Sequence, residues 1–231
     1  MKKIDNVAII PARKGSVRIK NKSIRKFFGK PIIYYSIKIL KKSNIFDKII
    51  VTTNCEKISR ISKNIGIDLV IKRPNYISNN KIGTIRVVNH SIKKLKQMGI
   101  NPKIVCCMYP AAPITEYKNL IFSLKKLTEK KMSFIFPSTL MIKNSRFRNK
   151  FSKELIKINK VKKKEGITNK NLLDAGQFYI GRTNTWRKNK TFFQKNNYTF
   201  IINENISDIN TIKDWNKIKK VFSKKFKKNS F

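Results

Sequence analysis

One short loop concentrates the groups in this sequence that could handle a phosphorylated ligand. After the apolar run Val7 to Ile10, stopped by Pro11, come Arg13, Gly15, Ser16, Arg18 and Lys22. Guanidinium, ammonium and hydroxyl groups, with backbone N–H groups exposed at a glycine, are the donors that surround a polyphosphate. The loop is not the P-loop sequence, and in so basic a chain any surface loop collects cations, so phosphate binding and plain solvated charge both stay open at this point. Other chemistry is sparse. His90 is the single histidine and sits in a helical pattern, so it reads as an ordinary helix-face residue rather than an acid/base group. Cys55, Cys106 and Cys107 are odd in number with two adjacent, which offers neither a disulfide framework nor zinc-ligand spacing and suits a reducing compartment.

Such a loop needs strands to aim it. Val7 to Ile10 reads as a strand buried on both faces. Pro31 opens a helical pattern at Ile32, Ile33, Ser36, Ile37 and Leu40. Asp47 to Thr53 predicts a second strand, Glu56 to Ile65 a helix ending on Gly66, Asp68 to Ile71 a third strand, Thr84 to Met98 a helix and Ile104 to Tyr109 a fourth strand. Tyr117 to Lys130 is again helical, and Ser133 to Phe136 a strand ended by Pro137. Gln177 to Gly181 and Tyr198 to Ile202 follow as strands, and Thr211 to Phe222 as a terminal helix. Repeated strand–helix–strand units imply an α/β fold, a three-layer arrangement around a mostly parallel open sheet, in one domain over residues 1–231. The basic, irregular stretch from about 138 to 173 predicts an arm projecting from that sheet. Open parallel sheets bind ligands beyond the carboxyl ends of their strands, which is where the Pro11 to Lys30, Thr53 to Glu56 and Tyr109 to Thr115 loops leave.

Charge is the conspicuous compositional feature: 54 Lys and Arg against 12 Asp and Glu, formally +42 in 231 residues. The cations are 44 Lys and only 10 Arg, and they accompany 37 Ile and 25 Asn, the residues that A/T-rich codons favour. They are spread along the chain rather than gathered on one tail. We therefore read the charge as background and not as the mark of a nucleic-acid binder. No apolar run approaches the 18 or so residues that a membrane span requires.

Several blocks in order carry a family resemblance. Ala8-Ile9-Ile10-Pro11-Ala12-Arg13-Lys14-Gly15-Ser16-Val17-Arg18-Ile19, with Lys22 and Phe27-Phe28-Gly29-Lys30-Pro31, resembles the opening of the acylneuraminate cytidylyltransferases, the enzymes that make CMP-sialic acids. Phe46 to Thr53, Lys72-Arg73-Pro74, Tyr109-Pro110-Ala111-Ala112-Pro113, Asp174-Ala175-Gly176-Gln177-Phe178-Tyr179 and Ser207 to Trp215 are similar to further family blocks. The Asp174 block and the Cys106 to Pro110 lead-in look most like the pseudaminic acid branch. The resemblance implies a Rossmann-like nucleotidyltransferase fold, and transfer of CMP from CTP to the anomeric hydroxyl of a nonulosonic acid with release of pyrophosphate. It implies Mg²⁺ as cofactor, a homodimer formed through the 138–173 arm, and a cytoplasmic enzyme with no membrane or nucleic-acid partner. A related 2-keto sugar acid (sialic, legionaminic or 3-deoxy-manno-octulosonic) is the alternative substrate. An impaired homologue that binds nucleic acid or an anionic surface is the alternative of a different class.

Residue by residue, the resemblance implies that Arg13, Gly15, Ser16 and Lys22 hold the triphosphate, with Arg13 and Lys22 catalytic and Lys22 stabilising the charge of the transition state. It places Pro11, Ala12, Arg73, Thr84 and Tyr109 around the nucleoside, and Gln177 and Tyr179 beside the sugar, with Asp174 nearby. The metal would fall to Asp208 and Asn210, although the same two residues could simply cap the helix starting near Thr211. The family's metal block commonly reads Asp-Ile-Asp, whereas this chain has Asp208-Ile209-Asn210. Asn54, Asn79 and Asn80 likewise replace acidic residues, and Ser23 an asparagine.

Overall fold

The computed structural model describes residues 5–16, 18–140, 155–158, 167–169, 172–189, 191–193, 196–202 and 208–226. Its strands are β1 (Asn6–Pro11), β2 (Lys26–Phe27), β3 (Lys30–Pro31), β4 (Lys48–Thr53), β5 (Leu69–Lys72), β6 (Ile104–Met108) and β7 (Phe134–Leu140). After these come β8 (Ile156–Lys157), β9 (Ile167–Asn169), β10 (Leu172–Asp174), β11 (Phe178–Arg182) and β12 (Tyr198–Ile201). The helices are α1 (Ile32–Ser43), α2 (Glu56–Ile65), α3 (Thr84–Gln97), α4 (Tyr117–Glu129), α5 (Thr183–Lys188) and α6 (Ile212–Phe226). β2 and β3 form a separate small hairpin, and the other ten strands make one sheet.

The sheet order starts β5-β4-β1-β6 with every neighbour parallel, continues through β11, β7, β10 and β9, and adds β12 and β8 beside β7. β11 runs antiparallel to both β6 and β7, so these two share a direction, and β12 is parallel to β7. β8, β10 and β11 are thus the strands that run against the rest. Alternation of side chains along β1 divides the core. Ala8 and Ile10 pack with Ile33, Ile37 and Leu40 of α1, Ile58 of α2 and Leu120 and Leu127 of α4. Val7 and Ile9 pack with Ile85, Val88, Ile92 and Leu95 of α3 and with Trp186 of α5. Two helical layers therefore enclose the sheet, as the strand–helix repeat predicts.

A third apolar cluster serves the loops. Ile19, Phe27, Ile32, Tyr35, Ala111, Ile114 and Ile209 pack with Trp215, Ile218 and Phe222 of α6. It anchors the loop after β1 and the 208–210 segment in the same apolar body although they are far apart in sequence. Truncating a fully buried member such as Ile209 to Ala should cost about 2–5 kcal/mol.

One expectation changes. Pro137 does not end its strand: β7 continues to Leu140, because Pro137 falls where the β7 partner changes from β11, paired at Ile135, to β10, paired at Ser138. A missing N–H costs no ladder bond there, and the Pro137 carbonyl still accepts from the Ala175 N–H at 3.1 Å. Within the stretch read as a projecting arm, Ser138 to Leu140, β8, β9 and Leu172 and Leu173 of β10 belong to the sheet, and the other residues of 138–173, apart from Leu155 and Ile158 beside β8, lie outside the described set. No helix among the described residues is long and apolar enough to cross a membrane.

Candidate active site

A cleft of about 390 Å³ opens beyond the carboxyl ends of β1 and β6. Arg13, Ser16, Arg18 and Lys22 reach it from the loop after β1, Arg73 from the end of β5, Thr84 and Val87 from the first turns of α3, Tyr109 from the end of β6, and Asp208 and Asn210 from the segment before α6. Pro11 lines it as well. Four predicted positions do not: Ala12 is fully buried with its N–H on the Thr52 carbonyl at 3.0 Å, Gly15 is exposed at the loop's turn, and Gln177 and Tyr179 lie behind the wall at 3% and 2% exposure. Gly15 has φ +87°, a conformation that explains its residue type.

The loop is held by amides rather than by acids. Arg13 donates to the Asn80 side-chain carbonyl and to the Ser78 backbone carbonyl, and the Lys14 N–H donates to Asn54 Oδ1 at 3.0 Å. Asn54 and Asn80 therefore fix geometry without neutralising charge. Arg73 is 3% exposed, and its Nε and Nη2 have no partner among the described residues. Burial, with the Arg13 charge adding to it, brings its pKa down to about 10, so it stays a cation at neutral pH. A buried, half-satisfied guanidinium is costly in the free protein and poised for an anionic or carbonyl-bearing ligand.

Tyr109 joins the two sides of the cleft. Its hydroxyl lies 3.1 Å from Thr84 Oγ1, its N–H donates to the Gln177 carbonyl at 2.9 Å and its carbonyl accepts from Ser36 Oγ at 2.9 Å. Behind it, the Tyr179 ring packs edge-on at 5.8 Å and stacks on Phe192 at 3.8 Å. The Tyr179 hydroxyl donates to one oxygen of Asp174, whose other oxygen accepts the Gly176 N–H at 2.9 Å. Burial raises the Asp174 carboxyl to about 6 despite those hydrogen bonds, and the nearby Asp208 charge adds to the rise. Gln177 and Tyr179 thus support the wall from inside.

Lys22 and Asp208 pair at one edge of the cleft, Nζ to Oδ1 at 3.5 Å, and the same ammonium donates to the Ile209 carbonyl at 2.6 Å. Burial raises the Asp208 carboxyl and the Lys22 charge opposes that rise. Neither Asp208 nor Asn210 caps α6. Asp214 Oδ2 accepts the Thr211 N–H at 2.7 Å and the Asp214 N–H donates to Thr211 Oγ1 at 3.2 Å, the two reciprocal bonds of a capping box. The Thr211 to Asp214 spacing carries that signal in the sequence, and it leaves Asp208 and Asn210 available to a ligand. Among the described residues no three His, Cys, Asp or Glu side chains converge on one point. His90, half-buried on α3, stands apart from the cleft lining.

The profile of the family described as Cytidylyltransferase matches residues 7–228. A pseudaminic acid cytidylyltransferase of Campylobacter jejuni is 30% identical over 214 residues, which covers 90% of this chain and 92% of that protein. A CMP-N,N'-diacetyllegionaminic acid synthase of Legionella pneumophila is 27% identical, with 90% and 92% covered. Among solved structures, a CMP:2-keto-3-deoxy-manno-octonic acid synthetase complexed with CTP superposes with a TM-score of 0.71 at 13% identity, over 96% of this chain and all of that one, a likeness of fold.

Proposed function

The chain belongs to the cytidylyltransferase family, and from that premise we propose that it transfers CMP from CTP to the anomeric hydroxyl of a nonulosonic acid of the pseudaminic type, releasing pyrophosphate. The observation that carries the site assignment is the convergence of Arg13, Lys22 and Arg73 on one cleft, at whose edge Asp208 pairs with Lys22. In this reading Arg13, Ser16 and Lys22 receive the triphosphate, while Arg73, Thr84, Tyr109 and Pro11 surround the nucleoside. The sugar oxygen attacks the α-phosphorus in line, and the fixed cations stabilise charge that grows on the phosphates.

The oxygen donors of Asp208 and Asn210 suit Mg²⁺, which binds through one or two carboxylates together with substrate phosphates. When bound it would neutralise phosphate charge and orient the leaving group. The protein's own part is to bring the Asp208 carboxylate and the Lys22 ammonium to the same edge of the cleft. With an amide at 210, nucleotide and metal depend more heavily on each other. The pseudaminic assignment within the family draws on the relative from Campylobacter jejuni and on the Asp174 block and the Cys106 to Pro110 lead-in, which look most like that branch. A cytoplasmic setting is supported by the free cysteines Cys55, Cys106 and Cys107 and by the demand for CTP. A homodimer through the 138–173 stretch is part of the same reading.

Pyrophosphate release with CTP, UTP, ATP and GTP in the presence of pseudaminic acid tests it. CTP is expected to support turnover well above the other three. Equal turnover with ATP would overturn the assignment of the nucleoside pocket. Binding of CTP without turnover would favour the impaired homologue instead.

A further inference from the structure

We propose that Gly176 and Asp174 are positioning residues: the tight turn they form sets the backbone at Asp208 and, through it, the ammonium of Lys22. The inference rests on the reading of Lys22 and Asp208 given above. Gly176 has φ +60°, and a Cβ on it would lie 2.7 Å from the Cβ of Asp208 and 3.0 Å from both its Cα and its N. Those are backbone atoms and the root of a side chain, which cannot step aside by rotating. The absence of a side chain at 176 is what allows the 208 segment to lie where it does.

The turn is itself pinned on three sides. Asp174 Oδ1 accepts the Gly176 N–H at 2.9 Å, its other oxygen accepts the Tyr179 hydroxyl, and the Ala175 N–H donates to the Pro137 carbonyl at 3.1 Å. On the other side of the contact, Asp208 pairs with Lys22 at 3.5 Å and the Ile209 carbonyl accepts from Lys22 Nζ at 2.6 Å. Ile209 is fully buried, so the segment cannot swing outward to absorb a push from the turn without leaving its apolar cluster. Position thus passes by contact from β7 and β11 to the turn, from the turn to Asp208 and Ile209, and from these to the ammonium. Misplacement of a reacting group by about 1 Å can cost on the order of 10²-fold in rate.

The test is a double-mutant cycle on steady-state pyrophosphate release. Gly176→Ala is expected to lower kcat by roughly ten- to a hundredfold with a smaller change in the KM for CTP. In a Lys22→Ala background the same substitution is expected to cost at least several-fold less in kcat, since one of the two groups it displaces is gone. Equal losses in the two backgrounds, or no loss in either, would overturn the proposal. If Lys22→Ala alone leaves kcat unchanged, the reading of the site fails and takes the proposal with it; if only Lys22→Ala lowers kcat, the site stands and the positioning role falls. Should Gly176→Ala not fold, Asp174 decides. Asp174→Ala is expected to lower kcat by about tenfold or more, and Asp174→Asn, which keeps an Oδ1 acceptor for the Gly176 N–H, to restore most of it. Equal activity in those two variants would count against the turn.

Discussion

On the side of the cleft formed by Arg13 and Arg73, the guanidinium groups have no carboxylate partner among the described residues, whereas on the side formed by residues 174–179 and 208–214 the carboxylates of Asp174, Asp208 and Asp214 are all paired within the protein. Arg13 is held by an amide and a carbonyl, and Arg73 keeps two buried donors unpaired among the described residues. Opposite them, Asp174 accepts from Gly176 and Tyr179, and Asp214 completes the cap of α6. The first side leaves buried donors for a ligand that brings negative charge; on the second the carboxylates are already answered. Lys22 and Asp208 are where the two meet.

The largest effect should come at that junction. Lys22→Ala is expected to lower kcat by roughly 10²-fold or more, as loss of a placed transition-state donor does, with the fold retained in circular dichroism and thermal melts. Wild-type turnover would make Lys22 one more surface cation and erase the contrast between the sides. The metal requirement comes next. Asp208→Asn is expected nearly to abolish activity, and Asn210→Asp to lower the half-saturating Mg²⁺ several-fold. Superimposable Mg²⁺ titrations for wild type and both variants would reject a metal role for this rim.

The smallest effect concerns the rim's stability. A carboxyl whose pKa in the folded protein, about 6, exceeds its ordinary value of 3.8 is disfavoured when ionised, so stability is lost as pH rises between those values and is level above. Thermal melts of wild type should fall from pH 4 to 6 relative to Asp174→Asn, which carries no such charge. Parallel melting curves across that range would show that Asp174 titrates as an exposed carboxyl.

The two sides were unequally legible in the sequence. The loop after β1 could be read because strand, proline, cations and glycine lie within a dozen residues, and Pro11, Arg13, Ser16 and Lys22 fall in the cleft together. Arg73 and Tyr109 come from other strand ends and Thr84 from the start of α3, and all three depended on the family resemblance. Gln177 and Tyr179 were read as facing a sugar, but period-two alternation does not say which face of β11 is covered, and Phe192, far along the chain, stacks on Tyr179. Pro137 misled because a proline ends a strand only where its N–H would be needed, and the partner switch at that residue is a tertiary fact. The role of Asn80 as the Arg13 partner had no local signal at all. The short helix α5, seated by Trp186 against the Val105 carbonyl at 3.0 Å, was likewise absent from the hydrophobic pattern.

The central claim is that this cleft joins CTP to a nonulosonic acid. Pyrophosphate release should be measured with CTP and Mg²⁺ against pseudaminic, legionaminic, sialic and 3-deoxy-manno-octulosonic acids, and without any acceptor. Release that requires an acceptor, with pseudaminic acid giving the highest kcat/KM, is the predicted result. Acceptor-independent release, or none with any of the four, would contradict the account.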